Sequence, residues 1–108
     1  MNATTVPVTI TPEAAKRTAE LGFQTQVQSM IDYALQNLPD LDRIEVVLNE
    51  HDEPGIEDGL CIDVYSHHPY DPADTLDSRI IRDLITLYPP DVLIHLILDY
   101  HYGASHAG

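Results

Sequence analysis

Two short segments with alternating apolar side chains constrain the fold most. Residues 43–50, RIEVVLNE, and residues 60–66, LCIDVYS, place aliphatic side chains at every second position. Alternation with a period of two is typical of β-strands that bury one face. The polar, glycine-containing stretch 51–59 between them predicts a hairpin with a long acidic tip. The chain therefore needs a sheet with one covered face.

Helical patterns lie on both sides of this hairpin. Residues 11–13, Thr-Pro-Glu, are typical of a helix start, because threonine caps, proline fits the first turn and glutamate complements the helix dipole. Apolar spacing runs on to Leu38, and Gly22 predicts either a weak point in one helix or a junction between two. Residues 71–74, Asp-Pro-Ala-Asp, repeat the start signal. We therefore expect the second helix to run from there to Tyr88, which precedes a proline pair.

Two further strands complete the pattern. Residues 6–10 and residues 95–102, HLILDYHY, also alternate. The order β-α-β-β-α-β predicts an α+β fold, a two-layer sandwich of the ferredoxin-like kind with two helices on one face of an antiparallel sheet. That topology makes the first strand central, where Pro7 could not donate to the ladder. The alternative is a three-stranded α-β-β-α-β core with residues 1–10 as an edge strand or arm.

Length and composition bound the class of protein. A chain of 108 residues predicts one domain, with residues 103–108 as a flexible tail. The single cysteine, Cys61, excludes an internal disulfide and fits a reducing cytosol. The first ten residues lack the pattern of a signal peptide, and the most apolar stretch, 92–98, is far shorter than the ~20 residues of a membrane helix. We therefore expect a cytoplasmic protein.

Acidic side chains dominate the charge. Eighteen Asp and Glu residues against five Lys and Arg residues give a net charge of −13. This charge repels phosphate backbones and anionic membranes, so we expect neither as a partner, whereas it attracts basic proteins. The same charge would also be expected if it only kept the protein soluble. Two acidic clusters predict a docking surface for a basic partner protein, namely Glu50, Asp52, Glu53, Glu57 and Asp58 at the hairpin tip and Asp71, Asp74 and Asp77 at the start of the second helix.

Histidine and aspartate side chains indicate a second possible site. Alternation along the last strand places His95, Asp99 and His101 opposite the apolar set, and Asp63 lies on the corresponding face of the hairpin. Imidazole and carboxylate are competent ligands for zinc or manganese. If the two strands lie within reach, these four residues predict a divalent-metal site. Otherwise they form a polar face that is solvated or buried in a dimer.

Residues 65–74, YSHHPYDPAD, raise the same question of ligand site or local structure. Most of this stretch is explained by the chemistry of a turn and a helix start. Only His67 and His68 are unexplained by it. Adjacent strand residues point in opposite directions, so these two could share an ion only if the chain turns there.

The common catalytic motifs are absent from the sequence. It contains no phosphate-binding loop, dinucleotide fingerprint, nucleophile elbow or zinc-protease helix. Cys61, close to Asp63, lacks the electropositive setting that a nucleophilic thiolate needs. The sequence favours an interaction protein over an enzyme. We expect an inhibitor-like or antitoxin-like module that binds a basic partner and forms a homodimer through a sheet face or edge. The alternative is a metal-dependent enzyme or regulator.

Overall fold

The computed structural model describes residues 5–51, 53–55 and 57–103. Asp52 and the end of the predicted tail, 104–108, lie outside these ranges. Within the described ranges, no helix combines the length and the apolar character needed to cross a membrane. The elements are β1 (Val8–Ile10), α1 (Pro12–Leu21), α2 (Gln24–Asn37), β2 (Leu41–Asn49), β3 (Gly59–Ser66), α3 (Leu76–Leu87), α4 (Pro90–Leu93) and β4 (Leu96–His101).

The four strands form one mixed sheet in the order β1-β2-β3-β4. β1 runs parallel to β2, β2 and β3 form the predicted antiparallel hairpin, and β4 runs parallel to β3. The protein is therefore α+β and compatible with a two-layer sandwich, but the sheet is not antiparallel and β1 is not central. Pro7 fits an edge position, because its carbonyl accepts a hydrogen bond from Ile44 N at 2.9 Å without requiring an N–H of its own.

The two parallel pairs are joined by crossovers of opposite hand. Each crossover steps to the next strand in the same direction across the sheet, although the strands of one pair run opposite to those of the other. Both helical connections lie on one face, since Tyr33 of α2 donates a 2.7 Å hydrogen bond to Asp83 of α3. One crossover must therefore be left-handed, whereas about 98% of such connections are right-handed.

The predicted alternation determines which sheet face is buried. Even-numbered strand residues face the helices, and Met30 of α2 is fully buried against this layer. Odd-numbered residues lie on the opposite, open face, where all except Gly59 are half-buried or exposed. The buried hydrophobic strand residues are Ile44, Val46, Leu60, Ile62, Val64, Leu96 and Tyr100.

The first helical region follows its sequence signals. Thr11 Oγ1 accepts a hydrogen bond from Ala14 N at 3.2 Å, so threonine caps α1 as expected. α1 ends at Gly22, whose φ of 70° lies in the left-handed region that glycine adopts without strain. Gly22 is therefore a helix terminus, and the region consists of two helices.

The second helical region begins later than predicted. Asp71 Oδ1 accepts from Ala73 N at 2.9 Å, and Asp74 Oδ1 accepts from Leu76 N at 3.0 Å. Asp71 thus satisfies an amide of the turn that precedes the helix, as aspartate often does, and Asp74 satisfies the amide of the first helical residue. α3 begins only at Leu76, so Asp77 alone of the predicted acids lies in its first turn.

Candidate functional sites

The register of β3 and β4 brings three of the four predicted metal ligands together. Asp63 pairs directly with Asp99 across these strands. His101 Nε2 lies 3.0 Å from Asp63 Oδ1 and 3.6 Å from Asp99 Oδ2. One ligand atom from each of the three residues lies within 4.8 Å of the others. Zinc ligands lie ~2.0–2.2 Å from the ion, so small side-chain movements would let one ion contact all three. We call these three residues the open-face triad.

Neighbouring strands hold the His101 ring in place. The ring stacks on Tyr65, with ring centres 4.6 Å apart and an interplanar angle of 10°. Arg43 of β2 lies 3.8 Å from the centre of the Tyr65 ring. Because β2 and β4 flank β3, these side chains form a row with Tyr65 in the middle. The row fixes the imidazole with Nε2 toward the carboxylates. Burial first, and then the negative charge of Asp63, raises the pKa of Tyr65.

Cys61 lies beside the triad but keeps its proton. Its thiol donates to Asp63 Oδ1 at 3.3 Å. Burial, followed by this contact with Asp63, raises the pKa of the Cys61 thiol to about 12. A thiol in this environment is a poor nucleophile at neutral pH, in agreement with the sequence analysis.

His95 is separate from the triad. It lies just before β4, and its ring centre is 6.3 Å from that of Phe23, at the junction of α1 and α2. Its Nδ1 atom is buried and has no hydrogen-bond partner within the described ranges. Asp99 lies four positions further along the chain, which corresponds to roughly 13 Å in an extended strand. The structure therefore does not bring His95 together with the other three predicted ligands.

A second histidine–aspartate cluster lies where β3 ends. His68 Nδ1 is 2.8 Å from Asp40 Oδ2, and His68 Nε2 is 3.1 Å from Asp74 Oδ2. A histidine with a carboxylate at each ring nitrogen is favoured in its doubly protonated form. The contacts with Asp40 first and Asp74 second raise the pKa of His68. The contact with His68 in turn lowers the pKa of Asp74.

His67 extends this cluster. Its Nδ1 lies 2.8 Å from Asp42 Oδ1, and its backbone N–H donates to Asp40 O at 3.0 Å. Asp40 has a φ of 59°, in the left-handed region that aspartate tolerates better than most residues. The histidines therefore connect the α2–β2 turn, the end of β3 and the turn before α3. We call this cluster the histidine clamp, formed by Asp40, Asp42, His67, His68 and Asp74.

The predicted acidic docking surface is divided between two ends of the molecule. The hairpin tip precedes β3 and the acids before α3 follow it, so the eight residues of β3 separate them by roughly 26 Å. Several of these acids have partners within the protein. Glu57 Oε1 lies 3.1 Å from Arg17 Nη2, and Asp77 Oδ1 accepts from the Tyr102 hydroxyl at 2.8 Å. Glu50 and Glu53 are exposed at the tip.

A groove between α3 and the edge strand β4 was not anticipated from the sequence. Ile81, which lines this groove, is 59% exposed, Ile85 one turn further along α3 is 65% exposed, and Ile94 is 70% exposed just before β4. In the sequence, Ile81 and Ile85 form an apolar i, i+4 pair. This pair lies outside the buried apolar stripe of α3, which consists of Leu76, Ile80 and Leu84. The groove has a volume of about 370 Å³ and is lined by Asp77, Ile80, Ile81, Leu98, Asp99, Tyr100 and Tyr102.

Comparison of the chain with protein-family models, with curated proteins and with solved structures gives no match. Two surfaces of the described chain thus have distinct chemical capacities. The open-face triad offers oxygen and nitrogen ligands to a cation. The groove beside β4 offers exposed apolar area with carboxylates close by.

Proposed function

We propose that the protein is an interaction module that binds a basic partner protein and regulates or neutralises it. The observation that carries this proposal is the exposure of Ile81 in a groove that is also lined by Asp77 and Asp99, with Ile85 exposed one turn further along α3. Apolar area with a polar rim is typical of protein interfaces. The net charge of −13 favours a basic partner and accelerates its approach at low salt.

The division of the acidic residues supports a revised location for the contact. The groove residues and Asp77 supply both apolar area and charge at one end of the molecule. The exposed acids of the hairpin tip, such as Glu50 and Glu53, lie at the other end. Their contribution would be long-range attraction, which salt weakens, and not direct packing.

The proposal is tested by affinity capture with matched variants. Ile81→Ser combined with Ile85→Ser should release any basic protein that the wild type retains at low salt. Leu35→Ser is the control, because Leu35 is a similarly apolar, 42% exposed residue on α2 that does not line this groove. Retention by the double variant, or equal loss from the control, would contradict the use of this groove. Failure of the wild type to retain any basic protein would contradict the function itself.

The homodimer predicted from the sequence has a distinct salt dependence. Two copies of this chain each carry a net charge of −13, so their association works against repulsion. Self-association would therefore strengthen with added salt, whereas binding of a basic partner would weaken. Light scattering of the purified protein at low and high salt separates these two cases.

Divalent-metal binding is the second candidate function. The observation that favours it is the convergence of Asp63, Asp99 and His101, with ligand atoms within 4.8 Å of one another. These side chains fit zinc or manganese by their chemistry, since both ions accept imidazole and carboxylate ligands. A native mass spectrum of protein purified without chelator and then incubated with Zn²⁺ or Mn²⁺ tests it. One ion per subunit supports the proposal, and the absence of stoichiometric metal contradicts it.

A further inference from the structure

We propose that the free edge of β4 accepts an extended, basic segment of the partner protein as a fifth strand. This inference rests on the interaction function proposed above and specifies where and how the partner binds. β4 spans six residues, Leu96–His101, and it is the last strand of the sheet. A strand added here would continue the sheet, as in known cases of β-strand addition.

The backbone of β4 is arranged to receive such a strand. In a parallel ladder the residues of one strand alternate between bonding to the neighbour and facing away from it. Leu60 N donates to His95 O at 2.7 Å, which sets this alternation. Consequently Ile97 and Asp99 bond toward β3, while Leu98 and Tyr100 direct their N–H and C=O groups to the outer edge. No strand of the described ranges pairs with that edge.

β4 lacks two of the features that commonly protect an edge strand. Its sequence, LILDYH, contains neither proline nor lysine, which commonly prevent unwanted pairing. The opposite edge differs, because β1 has only three residues and follows Pro7. The outer edge of β4 therefore offers the longer and less protected set of unpaired backbone groups.

The groove and the open face favour a basic occupant with alternating side chains. Successive residues of an added strand would point alternately into the groove and over the open face. In the groove, a lysine stem could pack on Ile81 and Leu98 while its ammonium group approaches Asp77. On the open face, the nearest strand charge is Asp99. Arg79 does not oppose this, because its guanidinium points toward α2, where it donates to Asn37 O at 3.1 Å.

Charge also distinguishes the basic segment from a second copy of the chain. Antiparallel pairing of two β4 strands about a two-fold axis at residue 99 would place the two Asp99 side chains directly opposite each other. Like charges in that position destabilise strand pairs. Both copies also carry the full net charge of −13. The proposed occupant of the β4 edge is therefore a basic segment of a partner protein.

The test uses a peptide of alternating valine and lysine, about eight residues long, which is enough to span β4. Amide hydrogen exchange of the full chain is measured by NMR with and without the peptide. The amides of Leu98 and Tyr100 should exchange more slowly when the peptide is bound. Those of Ile97 and Asp99 should be protected already in its absence. This pattern is specific for strand addition, because electrostatic adsorption would not select alternate amides.

Matched controls separate pairing from charge. A peptide with N-methyl groups on its pairing edge should bind about tenfold or more weakly, since it cannot form the ladder. The Asp77→Asn and Ile81→Ser variants should each weaken binding, whereas Leu35→Ser should leave it unchanged. Equal affinity of the N-methylated peptide would overturn the proposal.

The remaining outcomes distinguish failure of strand addition from failure of the proposed interaction function. If the peptide or poly-lysine binds at low salt without protecting Leu98 and Tyr100, strand addition is wrong but a basic partner remains supported. If neither binds, both the site and the proposed function fail. If raising the protein concentration alone protects these amides, the occupant of the edge is a second copy, and the proposal of a basic segment is overturned.

Discussion

The histidine clamp and the open-face triad use the same residue types in different arrangements. In the clamp, each ring nitrogen of His68 faces its own carboxylate, at 2.8 Å and 3.1 Å. In the triad, one ring nitrogen of His101 faces two carboxylates, at 3.0 Å and 3.6 Å. A proton on each nitrogen satisfies the first arrangement completely. A single proton on Nε2 cannot satisfy both carboxylates equally well in the second.

The two arrangements suit the histidine clamp and the open-face triad to different functions. The clamp joins segments that are distant in sequence, since Asp40 precedes β2 and Asp74 precedes α3. Its geometry is that of a structural link. The triad joins only adjacent strands, and Asp63 and Asp99 are directly paired like charges, an arrangement that destabilises a sheet. A divalent cation would relieve that repulsion. The histidine clamp is therefore a pH-dependent structural link, whereas the open-face triad is a candidate ion site.

The largest predicted effect is stabilisation by metal at the triad. At a free ion concentration about 100 times Kd, binding adds about 2.7 kcal/mol to the free energy of unfolding. For a chain of this size, Tm should then rise by roughly 10 °C or more. Thermal unfolding with Zn²⁺ or Mn²⁺ measures the shift. His101→Ala should abolish it and His68→Ala should not; the opposite result would exchange the roles of the two clusters.

The next largest effect concerns the backbone that supports the clamp. A Cβ atom at Gly103 would lie 2.7 Å from His67 Cα, and Gly103 N donates to His68 O at 3.0 Å. Gly103→Ala should therefore displace this segment and lower the free energy of unfolding by about 1–3 kcal/mol. Denaturant unfolding measures the loss. The metal-induced rise in Tm should persist in this variant, and its disappearance would mean that the clusters are coupled.

A smaller effect is the pH dependence of the clamp. Because the pKa of His68 is raised above 6.5, its stabilisation is fully present below pH 6.5 and is lost as pH rises through the raised value. Because the pKa of Asp74 is lowered below 3.8, its stabilisation is present above pH 3.8 and is lost as pH falls through the lowered value. The clamp should therefore be strongest between these limits.

The variant His68→Gln tests that window. Its Tm should fall below that of the wild type by a few degrees near pH 5.5, the size expected for exposed ion pairs. The difference should shrink as pH rises through the raised pKa of His68. His51→Gln, at the hairpin tip, is the matched control. A difference that stays constant from acid to alkaline pH would show that His68 acts by packing and not by charge.

Local signals in the sequence predicted individual elements better than their arrangement. The hairpin strands were expected at 43–50 and 60–66 and occur at Leu41–Asn49 and Gly59–Ser66. The Thr11 cap and the interruption at Gly22 also depend on neighbouring residues only. The sheet order does not, because a short β1 pairs in parallel at the edge and one crossover has the rare hand. Pro7 indicates the edge position of β1, but neither the parallel pairing of β1 nor the hand of the crossover leaves a local pattern.

The same limit applies to the candidate sites. Alternation within β4 was enough to place Asp99 and His101 on one face, but the contact with Asp63 depends on strand register. His95 departs from this pattern because it precedes the strand, which begins at Leu96. For His67 and His68, sequence reasoning found no partners. The carboxylates of Asp42, at the start of β2, and of Asp40, in the turn before it, lie 25 and 28 positions away, where no sequence periodicity connects them to the histidines.

The smallest predicted effect decides whether the triad is complete without sulfur. Cys61 donates to Asp63 Oδ1 at 3.3 Å, and serine retains a donor at this position. Cys61→Ser should therefore change the free energy of unfolding by less than about 1 kcal/mol. If Asp63, Asp99 and His101 suffice to hold the ion, the metal-induced rise in Tm should be unchanged.

Loss of that rise would assign the thiol a direct role. An ion bound by Cys61 must displace a proton from a group whose pKa in the metal-free protein is about 12. Binding would then release an additional proton, which calorimetry in buffers of different ionisation enthalpy detects. We expect no such release in the wild type, since oxygen and imidazole ligands supply the site. The open-face triad then differs from the histidine clamp in only one respect, namely how many carboxylates face one imidazole nitrogen.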